Sequence, residues 1–409
     1  MSTLIPVEEA QAAICARLHP LPAESDPLLE AVGRVLAAAV NATLDQPPFT
    51  NAAMDGFALG ASAQETDLPV TLPVDGVTAA GDARVPALRP GHARRIMTGA
   101  PVPEGADSVV PVELTTPGKD TVTLNGTVAP GQHVRLRGED LQAGALLLPA
   151  GHRLHALDVG ALAGQGIAHV SVARRPRVGI LATGDEVQPP GTPLEAGQIY
   201  DANTPAVAAL IRAFGGEPVP FPIVRDEADH LQAGLMRAGE AELDLLLTSA
   251  GVSVGDYDLV KQMLGRLGSV DFWKVAIKPG KPLAVGTLHR TGTETPLPLI
   301  GLPGNPVAAV AACIVFVRPA IQTLLGEPVA PPFQITATLA DPLRNSGRRQ
   351  FVRTRLRWDG DGYIAHTSGL AGSANVAGLA HSDGFVVVPE DVTQLQPGDR
   401  VIVWVVRRE

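Results

Sequence analysis

Alternating strand and helix patterns between residues 177 and 306 constrain the fold of this chain more than any other feature. The buried run RVGILAT is followed by a helix pattern that begins at Thr204-Pro205 and ends at Gly215, and the same order then repeats. Strands that alternate with helices predict a doubly wound, parallel α/β sheet. Because ligands bind at the carboxyl ends of strands in such sheets, five loops are expected at one edge: TGDEV, RDE, SAGVSVGDYD, KPGKP and GLPGNP.

The rest of the chain predicts three further regions. Short apolar runs broken by Gly, Pro and Asp predict a small β-rich domain, and alternating runs near the carboxyl terminus predict a final β domain. The amino-terminal region is expected to contain two helices, one after Pro6 and one capped by Asp26 and Pro27, within a discontinuous helical and mixed domain. The predicted boundaries are 1–43 plus 141–172 for the discontinuous domain, 44–140 for the β-rich domain, 173–327 for the α/β domain and 328–409 for the C-terminal β domain.

Composition narrows the classes of protein that fit this multidomain chain. The formal charge of -10 at pH 7 argues against nonspecific nucleic-acid binding, which needs a basic surface. Cys15 and Cys313 lack the spacing of a disulfide framework or a zinc site. The amino terminus has no signal-peptide pattern, and no apolar run reaches the roughly 18 residues of a membrane span. We therefore expect a cytoplasmic protein that binds neither nucleic acid nor membrane.

The lysines are concentrated in one segment of the predicted α/β domain. The chain has five lysines and twenty-seven arginines, and four of the five lysines lie between Lys261 and Lys281. Ammonium groups make point-charge contacts with phosphate and similar oxyanions, so the segment predicts an anion site. A solvated helix face is the alternative, and it suits Lys261 better than the other three.

The segment Gly251-Val-Ser-Val-Gly255 lies between a predicted strand and a predicted helix. Its glycines allow a tight turn, and its backbone N–H groups together with the helix amino terminus can hold a phosphate. The same residues match G-x-S-x-G, the nucleophile elbow of α/β-hydrolases, with Ser253 as the nucleophile. A serine hydrolase would also need a downstream acid and histidine and an HGGG-type loop, and the sequence lacks that loop. Both interpretations remain open at this point.

Two proline-rich loops and several carboxylates are predicted at the same edge. KPGKP places Lys278 and Lys281 in a stiff turn, while GLPGNP places Asn305 as the helix N-cap and Pro306 as the first helical residue. Carboxylates follow the strand ends at Asp185, Glu186, Asp226, Asp256 and Asp258. Carboxylates beside phosphates favour Mg²⁺, although helix capping explains any single one of them equally well.

Seven motifs in one order resemble the molybdopterin molybdenumtransferase (MoeA) family, to which the gephyrin E domain is also similar. The motifs cover nearly the whole chain. They are NAAMDGFA (51–58), RIMTGAPVPEGAD (95–107), RGED (137–140), TGDE (183–186), GVSVGDYD (251–258), FWKVAIKPGKP (272–282) and GLPGNP (301–306).

The resemblance implies a molybdopterin-binding type of α/β domain in an enzyme that inserts molybdenum from molybdate into adenylated molybdopterin, releases AMP and uses Mg²⁺. It also implies a homodimer in which Asp55, Thr98 and Asp140 face the partner's α/β domain. The catalytic positions that match are Asp55, Thr98, Asp140, Glu186, Asp226, Asp258, Lys274 and Lys278. Of these, Glu186, Asp226 and Asp258 are expected to hold the metal. The expected substrate-binding residues are Gly251, Ser253, Gly255, Lys281, Pro303, Asn305 and Pro306.

One position departs from the family pattern, and two further functions stay open. Where the family has S-G-G, this chain has Ser249-Ala250-Gly251, and a Cβ at that position restricts φ > 0 and narrows the phosphate pocket. The α/β domain alone also resembles the molybdopterin adenylyltransferase, which is a candidate partner as well as an alternative function. A noncatalytic scaffold is the third alternative, although nothing in the sequence resembles the long linker of gephyrin.

Overall fold

In the computed structural model of the chain, the described residues are 4–60, 68–126, 129–249, 263, 265–290, 292–367, 369, 372 and 375–407. They fall into two compact units. The first unit comprises Met1–Ala38, Ala150–Ala156 and His169–Glu409, and the second comprises Ala39–Pro149 and Leu157–Ala168. The four predicted domain boundaries stay a prediction.

The centre of the first unit is a six-stranded sheet. Four neighbouring strands are parallel, and each of the last two pairs antiparallel with the strand before it. In spatial order the strands are Glu217–Pro220, Arg177–Ala182, Leu245–Ser249, Thr293–Leu302, Pro282–Arg290 and Gly268–Lys274. The predicted α/β domain is confirmed, but the sheet is mixed. Four strands form the parallel part that the sequence predicts, and two further strands pair antiparallel because the chain returns through hairpins after Gly268.

Helices cover this sheet as the strand–helix alternation predicts. The helices of the first unit include Val7–Cys15, Asn203–Ala213, Ala228–Glu240, the continuous segment formed by Pro306–Ala312, Cys313–Val317 and Arg318–Leu324, and the short Leu28–Glu30 and Ala377–Ala380. The second helix begins one residue before the predicted Thr204, and Gly215 with φ of 97° follows it. Glycine fits there because it adopts positive φ without a Cβ clash.

The helix Pro306–Leu324 is long and apolar enough to span a membrane by composition alone. Its mean hydropathy is 1.9, and 89% of its most apolar part is buried inside the protein. Phe316 at its centre is fully buried, in a core cluster that also contains Ile14 and Ile300. Burying side chains of this size contributes about 1.5–3 kcal/mol each, so the composition of this helix is that of a core helix.

A second six-stranded sheet forms the carboxyl-terminal part of the first unit. Its strands are, in spatial order, Ile277–Lys278, Arg349–Trp358, Tyr363–His366, Gln334–Leu339, Arg400–Val405 and Gly384–Val388. The last strand also pairs with Arg349–Trp358, which closes the sheet on itself. The short strand Ile277–Lys278 from the predicted α/β domain therefore completes the edge of the C-terminal β sheet.

The second predicted amino-terminal helix was wrong. Residues Ala23–Pro27 form a strand that pairs antiparallel with His169–Ala173, and only the turn Leu28–Glu30 is helical. Asp26 does not cap a helix, because its carboxylate accepts a hydrogen bond from the guanidinium of buried Arg34. The apolar spacing in this segment reflects side chains packed against distant strands, which short-range periodicity does not distinguish from a helix face.

The second unit is β-rich, as the sequence predicts for 44–140. Its main sheet has, in order, the strands Ser108–Pro111, Gly56–Leu59, Ala93–Ile96, Val70–Thr78, Thr121–Leu124 and Thr115–Pro117. Two small ladders pair Asn51–Ala52 with Val134–Arg135 and Val40–Asn41 with Leu146–Leu148. The turn Val112–Leu114 and most of the helix Ala156–Gly164 complete the unit.

Candidate active site

A cavity of about 1330 Å³ lies at the carboxyl edge of the central sheet, within the first unit. It is lined by residues from four of the predicted loops, among them Thr183, Glu186, Ser249, Lys278, Lys281, Pro303, Asn305 and Pro306. The cavity therefore collects motifs that are more than one hundred residues apart in sequence, as expected for strand ends in an α/β sheet.

The KPGKP loop is held between the two sheets of the first unit. Lys278 pairs with Gln350 in the register of the parallel strands, and Arg348 donates a hydrogen bond to the carbonyl of Ile277 at 3.3 Å. Gly280 has φ of 97°, and a Cβ there would lie 3.3 Å from Pro303. The loop is thus fixed on one side by the carboxyl-terminal sheet and on the other by the GLPGNP loop.

The cavity lining includes two lysines that form no salt bridge with a described residue. Lys278 is half-buried, Lys281 is exposed, and neither forms a salt bridge with a described residue. Two lining carboxylates already have backbone partners: Asp201 accepts the N–H of Thr204 at 2.9 Å, and Asp341 accepts the N–H of Thr367 at 2.7 Å. Uncompensated ammonium groups in a concave site favour anionic ligands.

Asn203 connects the helix start to two of the strand-end loops. Its side-chain amide donates to the hydroxyl of Ser249 at 2.9 Å and to the carbonyl of Gly304 at 2.7 Å. Asn305 occupies the predicted N-cap position before Pro306, but its side chain makes no capping hydrogen bond. The GLPGNP loop is therefore held through Asn203 and not through its own cap.

The predicted metal carboxylates are only partly gathered at the cavity. Glu186 is exposed and lines it, whereas Asp226 lies on the neighbouring loop, where its N–H donates to the carboxylate of Asp185 at 3.2 Å. Asp258 lies outside the described residues, as do Gly251, Ser253 and Gly255. Within the described ranges, no group of three or more His, Cys, Asp and Glu side chains is arranged for a metal ion.

Lys274 is separated from the other two lysines. It is exposed at the end of the strand Gly268–Lys274 and is not among the residues that line the cavity. Its carbonyl accepts the N–H of Ile5 at 2.9 Å, which ties this strand end to the amino-terminal segment.

Two of the three predicted site residues in the second unit are in direct contact. Asp55 accepts hydrogen bonds from the backbone N–H of Thr98 at 2.6 Å and from its hydroxyl at 2.7 Å. These two bonds, the backbone one foremost, lower the pKa of Asp55. The Asp55 carboxylate is therefore fixed and ionised at neutral pH.

Asp140 belongs to a separate loop of the second unit. Its N–H donates to the carbonyl of Gln46 at 3.0 Å. The same loop is held by Asp45, which accepts the N–H of Ala143 at 2.9 Å and the guanidinium of Arg137 at 2.6 Å. The RGED motif is thus tied to Asp45 through its arginine and to Gln46 through the N–H of Asp140.

Sequence reasoning missed the wall that the C-terminal β domain contributes to the cavity. Arg348, Gln350 and Arg353 line it together with Thr367. The signal was present in RNSGRRQFVR, where arginines follow a glycine turn at the start of a strand pattern. Asn203 was also missed, because the helix start was placed at the residue after it.

Family models match the chain in three consecutive regions. They are described as the MoeA N-terminal region (domain I and II) over residues 5–166, a probable molybdopterin binding domain over 179–323 and the MoeA C-terminal region (domain IV) over 336–406.

Relatives and solved structures agree with these matches over nearly the full length. Molybdopterin molybdenumtransferase 2 of Mycobacterium tuberculosis is 37% identical over 413 residues, covering 97% of this chain and 98% of the relative. The molybdopterin molybdenumtransferase of Nostoc is 39% identical over 388 residues, covering 92% and 87%. A crystal structure of the molybdopterin biosynthesis MoeA protein from Pyrococcus horikoshii has a TM-score of 0.82 at 32% identity, covering 98% of this chain and 99% of that one.

Fold, cavity and relatives together define an enzyme of molybdenum cofactor biosynthesis. The chain belongs to the molybdopterin molybdenumtransferase (MoeA) family, and the resemblance of its seven motifs is confirmed. This membership favours molybdenum insertion over the hydrolase, adenylyltransferase and scaffold alternatives.

Proposed function

We propose that this enzyme transfers molybdenum from molybdate to adenylated molybdopterin and cleaves the phosphoanhydride bond of that substrate, so that AMP is released. Both substrates are anions. The relatives are named for molybdopterin and molybdenum, and this supports the choice of these two ligands. The reaction needs a site that holds a pyrophosphate and an oxyanion at the same time.

The uncompensated cations of the 1330 Å³ cavity carry this proposal. Lys278 and Lys281 lie on one loop, and Arg348, which precedes the adjoining strand Arg349–Trp358, donates a hydrogen bond to the carbonyl of Ile277 next to Lys278. We assign Lys278 and Lys281 to the phosphate and oxyanion groups, and Lys274, which lies outside the cavity lining, as a further cation at the adjoining strand end. Pre-positioned cations stabilise the negative charge that develops as the P–O bond breaks.

We propose that carboxylates at this edge of the sheet hold a divalent cation. Mg²⁺ takes one or two protein carboxylates together with ligand oxygens, and Glu186 at the cavity with Asp226 on the next loop match that requirement. We assign Glu186, Asp226 and Asp258 as its ligands. When bound, the ion withdraws charge from the phosphate oxygens.

The site residues of the second unit are proposed to act across a homodimer. Asp55 is fixed and ionised by Thr98, which suits a residue that orients a substrate or a water molecule. We propose that Asp55, Thr98 and Asp140 complete the site of the partner subunit. We also propose that the enzyme works in the cytoplasm and receives its pterin substrate from the molybdopterin adenylyltransferase.

The Asp258→Ala variant tests the reaction. With adenylated molybdopterin, molybdate and Mg²⁺, we expect the wild-type protein to release AMP and the variant to keep its fold without releasing AMP. Asp120→Ala is the matched control, because Asp120 is an exposed aspartate in a turn of the second unit. Normal AMP release by Asp258→Ala would contradict the role of Asp258. Formation of adenylated molybdopterin from ATP and molybdopterin would indicate an adenylyltransferase instead.

A further inference from the structure

Tyr200 presents an exposed aromatic ring on the wall of the cavity. Its side chain is 46% exposed, whereas Phe351, the other aromatic residue among the described lining residues, is 4% exposed. Tyr200 is therefore the aromatic lining residue that a ligand can reach. Exposed aromatic rings are few in a chain of which 4% of the residues are aromatic.

One hydrogen bond of the side chain and two of the flanking backbone hold Tyr200 in place. The phenol hydroxyl donates to the carbonyl of Thr192 at 2.8 Å. On either side of Tyr200, the N–H of Ile199 donates to the backbone carbonyl of Glu186 and the N–H of Asp201 donates to the backbone carbonyl of Gln188, both at 2.8 Å. A ring that is already ordered loses little conformational entropy when a ligand binds to it, so its exposed face is suited to recognition.

The ring and the cations belong to the same cavity. Lys278 and Lys281 favour an anion, while the face of Tyr200 favours a planar, polarisable group. The cavity volume of about 1330 Å³ exceeds the roughly 300–1000 Å³ of ordinary ligand pockets. A ligand that uses both features carries a planar ring attached to a phosphate.

We propose that Tyr200 stacks on a heteroaromatic ring of the substrate and thereby makes the enzyme prefer ring-bearing phosphates over simple phosphates. This inference rests on the proposed function, because adenylated molybdopterin carries two such rings, adenine and pterin. Stacking tolerates different bases, since each of them presents a π-face. The shared chemistry is therefore a planar nitrogen heterocycle, and experiment distinguishes its two sources.

The test compares ligands with and without a ring on three variants. Binding of AMP, ribose 5-phosphate and 6-hydroxymethylpterin is measured by calorimetry on the wild-type protein, Tyr200→Leu and Tyr200→Phe. The matched control is Tyr363→Leu, because Tyr363 is 40% exposed on the carboxyl-terminal sheet and does not line the cavity. Each variant is also checked for its melting temperature and its assembly state.

We expect Tyr200→Leu to lose about tenfold in affinity for one ring-bearing ligand, as removal of one base–aromatic stack does, while ribose 5-phosphate binds as before. Tyr363→Leu should bind like the wild type, and Tyr200→Phe, which keeps the ring but loses the bond to Thr192, should lose much less affinity than Tyr200→Leu. A loss confined to AMP assigns the ring to adenine, and a loss confined to the pterin assigns it to pterin.

Three outcomes would overturn the inference. They are unchanged binding of both rings to Tyr200→Leu, an equal loss in Tyr200→Phe, which would assign the effect to the hydroxyl, and a change of assembly state without a change in ligand binding. AMP release by the wild-type protein is measured in parallel. The proposed reaction can fail in that assay while ring-dependent binding persists, so the two failures are distinguishable.

Discussion

The carboxylate of Asp55 accepts both hydrogen bonds that Thr98 can donate, from its N–H at 2.6 Å and from its hydroxyl at 2.7 Å. The two residues lie on separate motifs of the second unit, 43 positions apart. Both bonds stabilise the ionised carboxylate, which is why the pKa of Asp55 is lowered. The Thr98 side chain therefore stabilises the charged form of Asp55, and it also belongs to the proposed site.

Replacing Thr98 with valine should raise the pKa of Asp55, because the side-chain bond is lost while the backbone bond remains. A lowered carboxyl pKa stabilises the fold above the unfolded pKa of about 3.9, and that contribution disappears as the pH falls through the folded value. The stability difference between the wild type and Thr98→Val should therefore be present at neutral pH and vanish in acid. Carbon-13 NMR titration and urea unfolding measure the two effects. Thr98→Ser, which keeps the hydroxyl, should behave like the wild type.

Lys278→Ala should weaken molybdate and AMP binding by about tenfold or more, since a hydrogen bond to a charged group contributes about 1.5–3 kcal/mol. The effect should shrink as salt is added, because screening weakens contacts between exposed charges. Equilibrium dialysis at low and high salt measures both. Lys119→Ala removes the same charge from a turn of the second unit and should leave binding unchanged. Equal losses in the two variants would show that only net charge matters.

The proposed shared site predicts complementation between two inactive variants. If Asp55 acts on the partner's cavity, a homodimer with Asp55→Ala in one chain and Lys278→Ala in the other has one intact site and one doubly altered site. Mixing and reassociating the two variants should restore about a quarter of the wild-type sites, because about half of the dimers are mixed. AMP release is the readout. Activity no higher than that of the separate variants, with exchange of subunits verified, would contradict the shared site.

The parts of the site that sequence predicts are those with a local signature. The positions of Asn305 and Pro306 follow from helix-start preferences, and the gathering of the loops at one edge follows from strand order. The segment after Asp26 shows the limit of such reasoning. There Ala23–Pro27 pairs with the distant strand His169–Ala173, and Arg34 donates a hydrogen bond to the carboxylate of Asp26. Helical spacing of apolar residues predicts neither contact.

For a related reason, the sequence shows the arginines of the carboxyl-terminal wall but not where that wall lies. Gln350 reaches the cavity because Ile277–Lys278 pairs with the strand that begins at Arg349, and this pairing joins segments about 70 residues apart. Composition and periodicity describe each segment separately. They do not give the register between two segments, which here places Gln350 beside Lys278.

Gly280→Ala should lower both stability and anion binding. Gly280 has φ of 97°, where a Cβ costs about 1–3 kcal/mol, and that Cβ would lie 3.3 Å from Pro303. The strain is relieved by movement of the KPGKP loop away from GLPGNP, so Lys278 and Lys281 lose their shared position. Urea unfolding should show the loss of stability, and dialysis should show weaker molybdate binding.

Gly292→Ala separates the two effects. Gly292 has φ of 80°, and a Cβ there would meet no described atom within 4 Å. It lies in the hairpin between Arg290 and Thr293, away from the cavity lining. The variant should lose stability through the same backbone strain and keep its molybdate affinity. If Gly280→Ala also kept full affinity at the wild-type level, contact between the two proline-rich loops would have no part in holding the lysines.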